Sequence, residues 1–165
     1  MTTPATSQAT LVRAGDAEML DADPTSVITL LADPEHTGER LTSNRSLLKQ
    51  GTDGAPPHLH KHSAEMFFIL DGSLQMLIGN EVTVLNKDDF LVVPPGTPHA
   101  FAPAPGCDAD VLVVLTPGRE RFEYYRLLDR AHRGEATWAE VAATGDRFDN
   151  HYVDSPAWRE ARATA

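Results

Sequence analysis

The sequence predicts an all-β domain, a sandwich or barrel of antiparallel strands, followed by a helical extension. From Val27 onward, short β-prone runs alternate with turn residues, with about eight runs in roughly 90 residues. After Thr116-Pro117-Gly118 the chain becomes charged and helix-periodic. With 165 residues, 41% of them apolar, the chain has room for one core. We therefore divide it into an N-terminal extension (1–26), a barrel (27–116) and a C-terminal helical segment (117–165) packed on the barrel.

The strands of the barrel are expected where apolar runs lie between turn residues. Asp71-Gly72 and Gly79-Asn80 are typical of tight hairpin turns, and the proline-rich stretch 94–98 interrupts the chain again. The histidine-containing segment that begins at Pro56 is counted as a further strand. The other predicted strands cover residues 27–31, 41–49, 65–70, 74–78, 82–85, 90–93 and 111–115.

The C-terminal segment shows the period of an amphipathic helix, because Phe122, Tyr125 and Leu128 recur at three-residue steps. Such an aromatic stripe is typical of core packing, so we assign it no chemistry. Thr137-Trp138-Ala139-Glu140 fits the capping-box pattern of a second short helix. We expect Trp138 and Val141 to dock this helix on the rest of the protein.

The charge of the chain limits its partners. The 14 Lys and Arg residues stand against 24 Asp and Glu, which gives a net charge of −10. This balance disfavours a nucleic acid or an anionic membrane and leaves a small molecule as the expected partner. No apolar run approaches the roughly 18 residues of a membrane span. Residues 1–10 lack a basic start and an apolar stretch, so we expect a cytoplasmic protein.

Four residues in the middle of the chain form a candidate metal site. In an extended strand, His58 and His60 point to the same side, about 7 Å apart. Glu65 begins the next apolar strand, where a charged group on an apolar face needs a partner or a metal. His99 follows the proline-rich turn, whose restricted backbone would aim its side chain at a fixed point. A His-x-His pair alone is common on surface strands, but the carboxylate and the third histidine make coincidence less probable.

Three imidazoles and one carboxylate suit one divalent transition metal, such as Fe, Mn, Ni, Cu or Zn. We therefore predict His58, His60, Glu65 and His99 as metal ligands, and no other cofactor. Four protein ligands on a six-coordinate ion leave two positions for a substrate oxygen and for water or dioxygen. His62 shares the spacing of the pair, but it falls at the turn between strands and is expected at the surface.

These residues resemble the two sequence motifs of the cupin superfamily. The histidine segment matches the first motif at His58, His60, Glu65 and Gly72, and the later turn matches the second at Pro94, Gly96 and His99. The sequence departs from the motifs at their ends, where Thr52, Asp88 and Pro103 replace two glycines and an asparagine. The resemblance covers residues 40–116 and implies a double-stranded β-helix, or jelly-roll barrel, with a metal bound inside.

The same resemblance leaves several functions open, because cupins include dioxygenases, isomerases, cyclases and sensors. The chain is similar to single-domain bacterial cupins of type 2, including quercetinase-like dioxygenases. Phe67, Ile69 and Phe101 would give the metal an apolar, aromatic-walled pocket, although each could equally be plain core. We expect a metal-dependent dioxygenase or related oxidoreductase acting on a small aromatic or enolisable molecule, with Glu65 as the catalytic base.

Two alternatives use the same residues. In a redox-neutral isomerase or polyketide cyclase, the metal would act only as a Lewis acid. In a non-catalytic binding module, the barrel would hold a small molecule without converting it. Only about 26 residues precede the first predicted strand, too few for a DNA-binding helix-turn-helix and a linker. We also expect a homodimer, because the apolar strand 27–31 is a plausible sheet edge that a second copy would cover.

Overall fold

The computed structural model describes residues 9–164. Residues 1–8, part of the segment considered above for a secretion signal, lie outside the described residues. The elements within the described part are, in chain order, β1 (Met19–Leu20), β2 (Ser26–Ala32), α1 (Pro34–Thr37), β3 (Thr42–Leu48), β4 (Ala55–Leu59), β5 (Ala64–Ile78), β6 (Glu81–Asn86), β7 (Phe90–Val93), β8 (His99–Pro103), β9 (Ala109–Thr116), α2 (Phe122–His132), α3 (Trp138–Ala142), α4 (Gly145–Phe148), β10 (His151–Tyr152) and α5 (Pro156–Ala163).

The strands form two antiparallel sheets that share the long strand β5. The first sheet has the order β1-β2-β3-β9-β5-β7, and the second has the order β10-β4-β8-β5-β6. Residues 64–72 of β5 pair in the first sheet, and residues 73–78 pair in the second. This double-sheet barrel with helices after it confirms the predicted jelly-roll fold class and its C-terminal helical extension.

The bend within β5 corrects the prediction of a hairpin turn at Asp71-Gly72. The strand continues through these residues, with a bulge between Ile69 and Asp71. Gly72 has a φ of +72°, and a Cβ atom there would lie 2.0 Å from the carbonyl oxygen of Asp108. Glycine is therefore needed where β5 crosses from one sheet to the other, and not for a reversal of the chain. The predicted turn at Gly79-Asn80 is confirmed, because Ile78 pairs with Glu81 across it.

Two strand predictions also change at the ends of the sheets. Strand β2 pairs with β3 on one side and with the short strand β1 on the other, so residues 27–31 are not the free edge that the sequence indicated. At the opposite end, β10 adds an unpredicted strand beside β4. Its two residues come from the C-terminal segment, so this segment takes part in the second sheet.

The main core lies between the two sheets. Strand alternation sends every second residue of β5 and β9 inward, as in any two-layer β structure. Phe67 and Ile69 are fully buried here, each with 0% exposed surface. The other buried members of this core are Leu48, Leu74, Met76, Val93, Ala109, Val111, Val113 and Leu115.

The helices close one side of the barrel as the sequence predicted, with one exception. Helix α2 covers the predicted stretch, and Thr137 and Glu140 form the predicted capping box of α3. Val141 is buried and docks α3 as predicted. Trp138 is 54% exposed and contacts α2 only at the surface, where its ring meets that of His132 edge to face. None of the helices within residues 9–164 is long and apolar enough to cross a membrane.

The close approach at Gly72 gives a test of the fold. We expect Gly72→Ala to lower the free energy of unfolding by more than about 3 kcal/mol, since it adds a backbone clash to a strained φ. Gly79→Ala is the matched control, because Gly79 has a φ of +63° and open space around its Cβ position. It should cost about 1–2 kcal/mol. Urea denaturation measures both, and equal losses would show that the Asp108 contact is unimportant.

Candidate metal centre

The four predicted ligands meet at one end of the barrel interior. His58 and His99 are direct cross-strand neighbours on β4 and β8. His60 follows the last residue of β4, and Glu65 is the second residue of β5. All four side chains are buried, with between 1% and 4% exposed surface. One potential ligand atom from each lies within 4.8 Å of the corresponding atoms of the other three.

The carboxylate of Glu65 lies at the centre of this group. Its Oε2 atom is 2.9 Å from Nε2 of His60, 2.6 Å from Nε2 of His99 and 3.9 Å from Nε2 of His58. The three imidazoles therefore turn the same ring nitrogen, Nε2, toward one point. An ion with bonds of about 2.1 Å needs donor atoms about 3–4 Å apart, and this cluster offers that spacing.

The other nitrogen of each ring fixes the tautomer. In each of the three cluster histidines, Nδ1 lies within 2.9 Å of a backbone carbonyl oxygen, which can only accept a hydrogen bond. Nδ1 is therefore the donor, and the Nε2 lone pair of the neutral ring faces the cluster. The carbonyl groups are those of Pro56 for His58, Asp149 for His60 and Thr97 for His99. This arrangement of outer hydrogen bonds is typical of metal-binding histidines.

The donor set fits a metal cation for a second reason. With Nδ1 protonated, the lone pairs of His60 and His99 point at an oxygen of Glu65 at hydrogen-bond distance. Two acceptors at this separation repel each other unless a proton or a metal cation lies between them. The cluster therefore has the charge and the lone-pair directions that a divalent transition metal requires.

The pKa values of Glu65 and His58 favour the states that bind a metal, whereas that of His99 favours its protonated form. Burial acts to raise the pKa of Glu65, but His60 and His99 beside it hold that pKa well below its ordinary value. Burial takes the pKa of His58 well below its ordinary value, and the neighbouring His99 and His60 lower it further. For His99, burial also acts to lower the pKa, but the hydrogen bond to Glu65 raises it overall. Glu65 is thus ionised and His58 neutral, as metal ligation requires.

Asp149, which the sequence did not single out, supports the cluster from the C-terminal segment. Its carbonyl oxygen accepts from Nδ1 of His60 at 2.6 Å, and its carboxylate accepts from the backbone N–H groups of Lys61 and His62 at 2.7 and 3.0 Å. Burial acts to raise the pKa of Asp149, but these two N–H groups outweigh it and lower the pKa. Asp149 therefore fixes both the ring of His60 and the loop that carries it.

A cavity of about 1220 Å³ opens beside the cluster. His58, Glu65 and Phe101 line it, whereas Phe67 and Ile69 lie in the core and are not part of its wall. Much of the wall comes from the C-terminal segment. Further polar lining residues, none of them selected from the sequence, are Asn44, Arg121, Tyr124, Tyr125, Asn150 and Tyr152.

These lining residues carried no signal in the sequence. Arg121 lies in a charged stretch where it resembles any surface arginine, and the spacing of Tyr125 is typical of core packing. Asn44 occurs in a strand with no neighbouring motif. Only the fold shows that they share one cavity, because they come from β3, from the start of α2 and from the chain before β10.

The fold and the cluster together define a class of protein, a jelly-roll barrel with a buried three-histidine, one-carboxylate site. The family model described as "Cupin domain" matches residues 44–118, which include all four predicted ligands. Residues 44–118, which form the barrel and carry the four predicted ligands, thus constitute a cupin domain.

Individual relatives agree with this assignment. Quercetin 2,3-dioxygenase of Bacillus subtilis is 33% identical over 92 residues, which is 55% of this chain but only 26% of that protein. An RmlC-like cupin from Shewanella frigidimarina aligns with a TM-score of 0.58 and 19% identity, over 70% of this chain and 96% of the other. The polyketide cyclase RemF from Streptomyces resistomycificus has a TM-score of 0.57 and 18% identity, over 76% and 98%. These two structural matches establish the fold.

The geometry predicts how the removal of one ligand changes the affinity for a metal. We expect His58→Ala and His99→Ala to reduce affinity for a divalent metal by at least about 100-fold, since each removes a buried ligand from a set of four. Metal content by mass spectrometry and titration with Co²⁺ measure this. His62→Ala is the control, because His62 lies two residues after His60 and is exposed. Unchanged binding in the two variants, or equal losses in the control, would contradict the ligand assignment.

The support from Asp149 gives a second prediction. Asp149→Asn keeps the size of the side chain but places an amide N–H₂ opposite one of the two backbone donors. We expect metal affinity to fall by about 10- to 100-fold and the free energy of unfolding by about 1–3 kcal/mol. Asp146→Asn is the control, since Asp146 lies on α4 with an exposed carboxylate. Wild-type affinity in Asp149→Asn would show that the loop holds His60 without it.

Proposed function

We propose that this protein is a metal-dependent oxidoreductase, a dioxygenase that acts on a small aromatic or enolisable molecule. The observation that carries the proposal is the buried donor set, in which His58 and Glu65 also line the large cavity. A ligand in this cavity therefore reaches the metal site directly. The remaining two ligands, His60 and His99, are held behind them by the backbone carbonyls described above.

The protein's own residues would hold the metal and leave room for a ligand. His58, His60 and His99 would bind the metal through Nε2, and Glu65 offers an ionised oxygen. When bound, a divalent transition metal supplies Lewis acidity and, if it is redox-active, electron exchange with dioxygen. Because His58 and Glu65 line the cavity, a metal held by the four residues would be within reach of a bound molecule.

Glu65 is the residue best placed to move a proton. Its carboxylate is ionised and adjoins the cavity, so it can accept a proton from an acidic C–H or O–H group of a bound molecule. This is the role of catalytic base that the sequence indicated for Glu65.

The cavity supports a flat organic substrate. Its volume is above the range of ordinary ligand pockets, and its lining is mostly apolar. Phe101 lies in its wall, with its ring in edge-to-face contact with Phe67 behind it. Apolar walls beside Glu65 lower the local dielectric constant and strengthen its electrostatic effect on a bound molecule.

The similarity to quercetin 2,3-dioxygenase favours oxidation over the alternatives, although the match covers only 26% of that protein. A redox-neutral isomerase or cyclase would use the same four ligands and the same base. The polyketide cyclase RemF shares the fold, which keeps that chemistry as the second outcome of the test. A binding module without turnover is the third.

Oxygen consumption separates these functions. Protein loaded with Fe²⁺, Mn²⁺, Ni²⁺ or Cu²⁺ is incubated with flavonols, β-diketones and catechols in an oxygen electrode, and products are identified by mass spectrometry. We expect oxygen uptake matched by an oxygenated product, lost by more than about 100-fold in Glu65→Ala and retained in His62→Ala. Product without oxygen uptake would replace the proposal with a redox-neutral reaction. Binding without any product would overturn catalysis.

A further inference from the structure

A buried arginine lies in the same cavity as the metal cluster. Arg121 comes directly before α2 and has only 3% exposed surface, yet its side chain lines the cavity together with His58 and Glu65. A charge in such a place loses its hydration, which is costly unless a counter-ion compensates it. The partners of this guanidinium therefore decide what the cavity accepts.

The partners found in the protein are all neutral. Nη1 donates to the carbonyl oxygen of Phe148 at 3.0 Å, and Nη2 donates to Oδ1 of Asn150 at 3.4 Å. The guanidinium lies over the rings of Tyr124 and Tyr125, at 4.9 and 5.5 Å from their centres. Within residues 9–164, nothing accepts a hydrogen bond from Nε of Arg121.

The other arginines show the contrast. No ion pair within the described part of the chain includes Arg121, whereas five partly exposed arginines have a carboxylate partner. They are Arg45, Arg126, Arg133, Arg147 and Arg159. Arg162, which also lines the cavity, has only neutral partners as well, but it is less buried than Arg121. Arg121 is therefore the most deeply buried arginine without a carboxylate partner in the described part of the chain.

The surroundings keep the charge on Arg121. Burial acts to lower its pKa, but Tyr125, Tyr124 and Glu65 raise it overall. Glu65 does not serve as its ion-pair partner, because the carboxylate is already shared by the histidines. Acidic residues Asp23, Asp53 and Asp129 also line the cavity, but Asp129 is paired with Arg133 and Asp53 is exposed to solvent.

The wall around Arg121 is the polar part of a mostly apolar cavity. The hydroxyl of Tyr125 donates to Oδ1 of Asn44 at 2.9 Å, and Tyr124 and Tyr152 join their hydroxyls at 2.6 Å. Nδ2 of Asn150 donates to the hydroxyl of Tyr124 at 3.2 Å. These side chains are held in place by hydrogen bonds to one another, beside a guanidinium whose Nε has no partner in the described part of the chain. A few convergent polar groups in an apolar pocket are what orients a bound molecule.

We propose that Arg121 binds an anionic oxygen group of the ligand, so that the molecule taken by the cavity is an organic anion. A carboxylate or an ionised enol or phenol has the required charge, and it forms a charge-assisted hydrogen bond with a guanidinium N–H. The proposal deepens the proposed function, on which it rests for the location of the ligand. Binding of the anion itself requires no turnover.

A matched pair of probes tests the charge preference. Benzoate and benzamide have the same size and differ in charge, and calorimetry with the metal-loaded protein gives both affinities. We expect benzoate to bind at least about tenfold more tightly, as for a hydrogen bond between charged groups. Arg121→Gln should bring the two affinities together. Arg119→Gln is the control, since it removes the same charge from an exposed position two residues away.

Two further measurements separate Arg121 from the metal and from folding. Metal-free protein should keep the preference for benzoate if Arg121 causes it. A crystal structure with benzoate should place the carboxylate against the guanidinium of Arg121. Arg121→Lys retains the charge and should retain part of the preference for benzoate. This second variant keeps the proposal testable if Arg121→Gln does not fold. Equal affinities in the wild type would overturn the proposal, as would a preference that Arg121→Gln leaves intact.

The outcome is independent of turnover. A preference for benzoate that depends on Arg121, found without oxygen uptake by any substrate, supports the anion site and removes the dioxygenase. Oxygen uptake with no preference for the anion supports the dioxygenase and removes the anion site.

Discussion

The hydrogen bonds from Nδ1 of the three histidines to backbone carbonyls are the constraint on which the site depends. They direct the Nε2 lone pairs of all three rings toward Oε2 of Glu65, which lies 2.6–3.9 Å from the three Nε2 atoms. The three carbonyl groups belong to different parts of the chain, at Pro56, Thr97 and Asp149. The sheets must therefore close and the C-terminal segment must dock before the donor set is complete.

The C-terminal segment therefore contributes to the site itself as well as covering the barrel. The chain from α4 to β10 supplies the carbonyl that orients His60, and β10 then pairs with β4 beside His58. The same segment supplies Arg121 and the tyrosines of α2 to the cavity wall. A barrel without these residues would leave a buried imidazole N–H unpaired, which costs about 1–3 kcal/mol. The orientation of His60 thus depends on the docking of the C-terminal segment.

The metal-binding donor set and the buried arginine lie on different walls of the cavity. The barrel contributes the donor set and apolar residues such as Phe101, and the C-terminal segment contributes a cation, Arg121. A bound molecule would have its reactive part at Glu65 and its charge at the guanidinium. In such a site, orientation comes from one charged contact while the apolar walls exclude water, and both effects act on the same few atoms of the ligand.

Local pattern determined the fold class and the candidate ligands. Strand alternation places His58 and His60 on one side, and the rigid turn before His99 is visible in its prolines. Pattern failed at Asp71-Gly72, because a glycine needed for close approach to Asp108 resembles a glycine needed for a turn. It could not find Asp149 or Arg121, since their roles depend on contacts 27 to 89 residues away along the chain. Sequence pattern thus identified the side chains that can bind a metal. The groups that orient them, and the charge that shares their cavity, became visible only in the fold, because burial and long-range contacts exist only once the chain has folded.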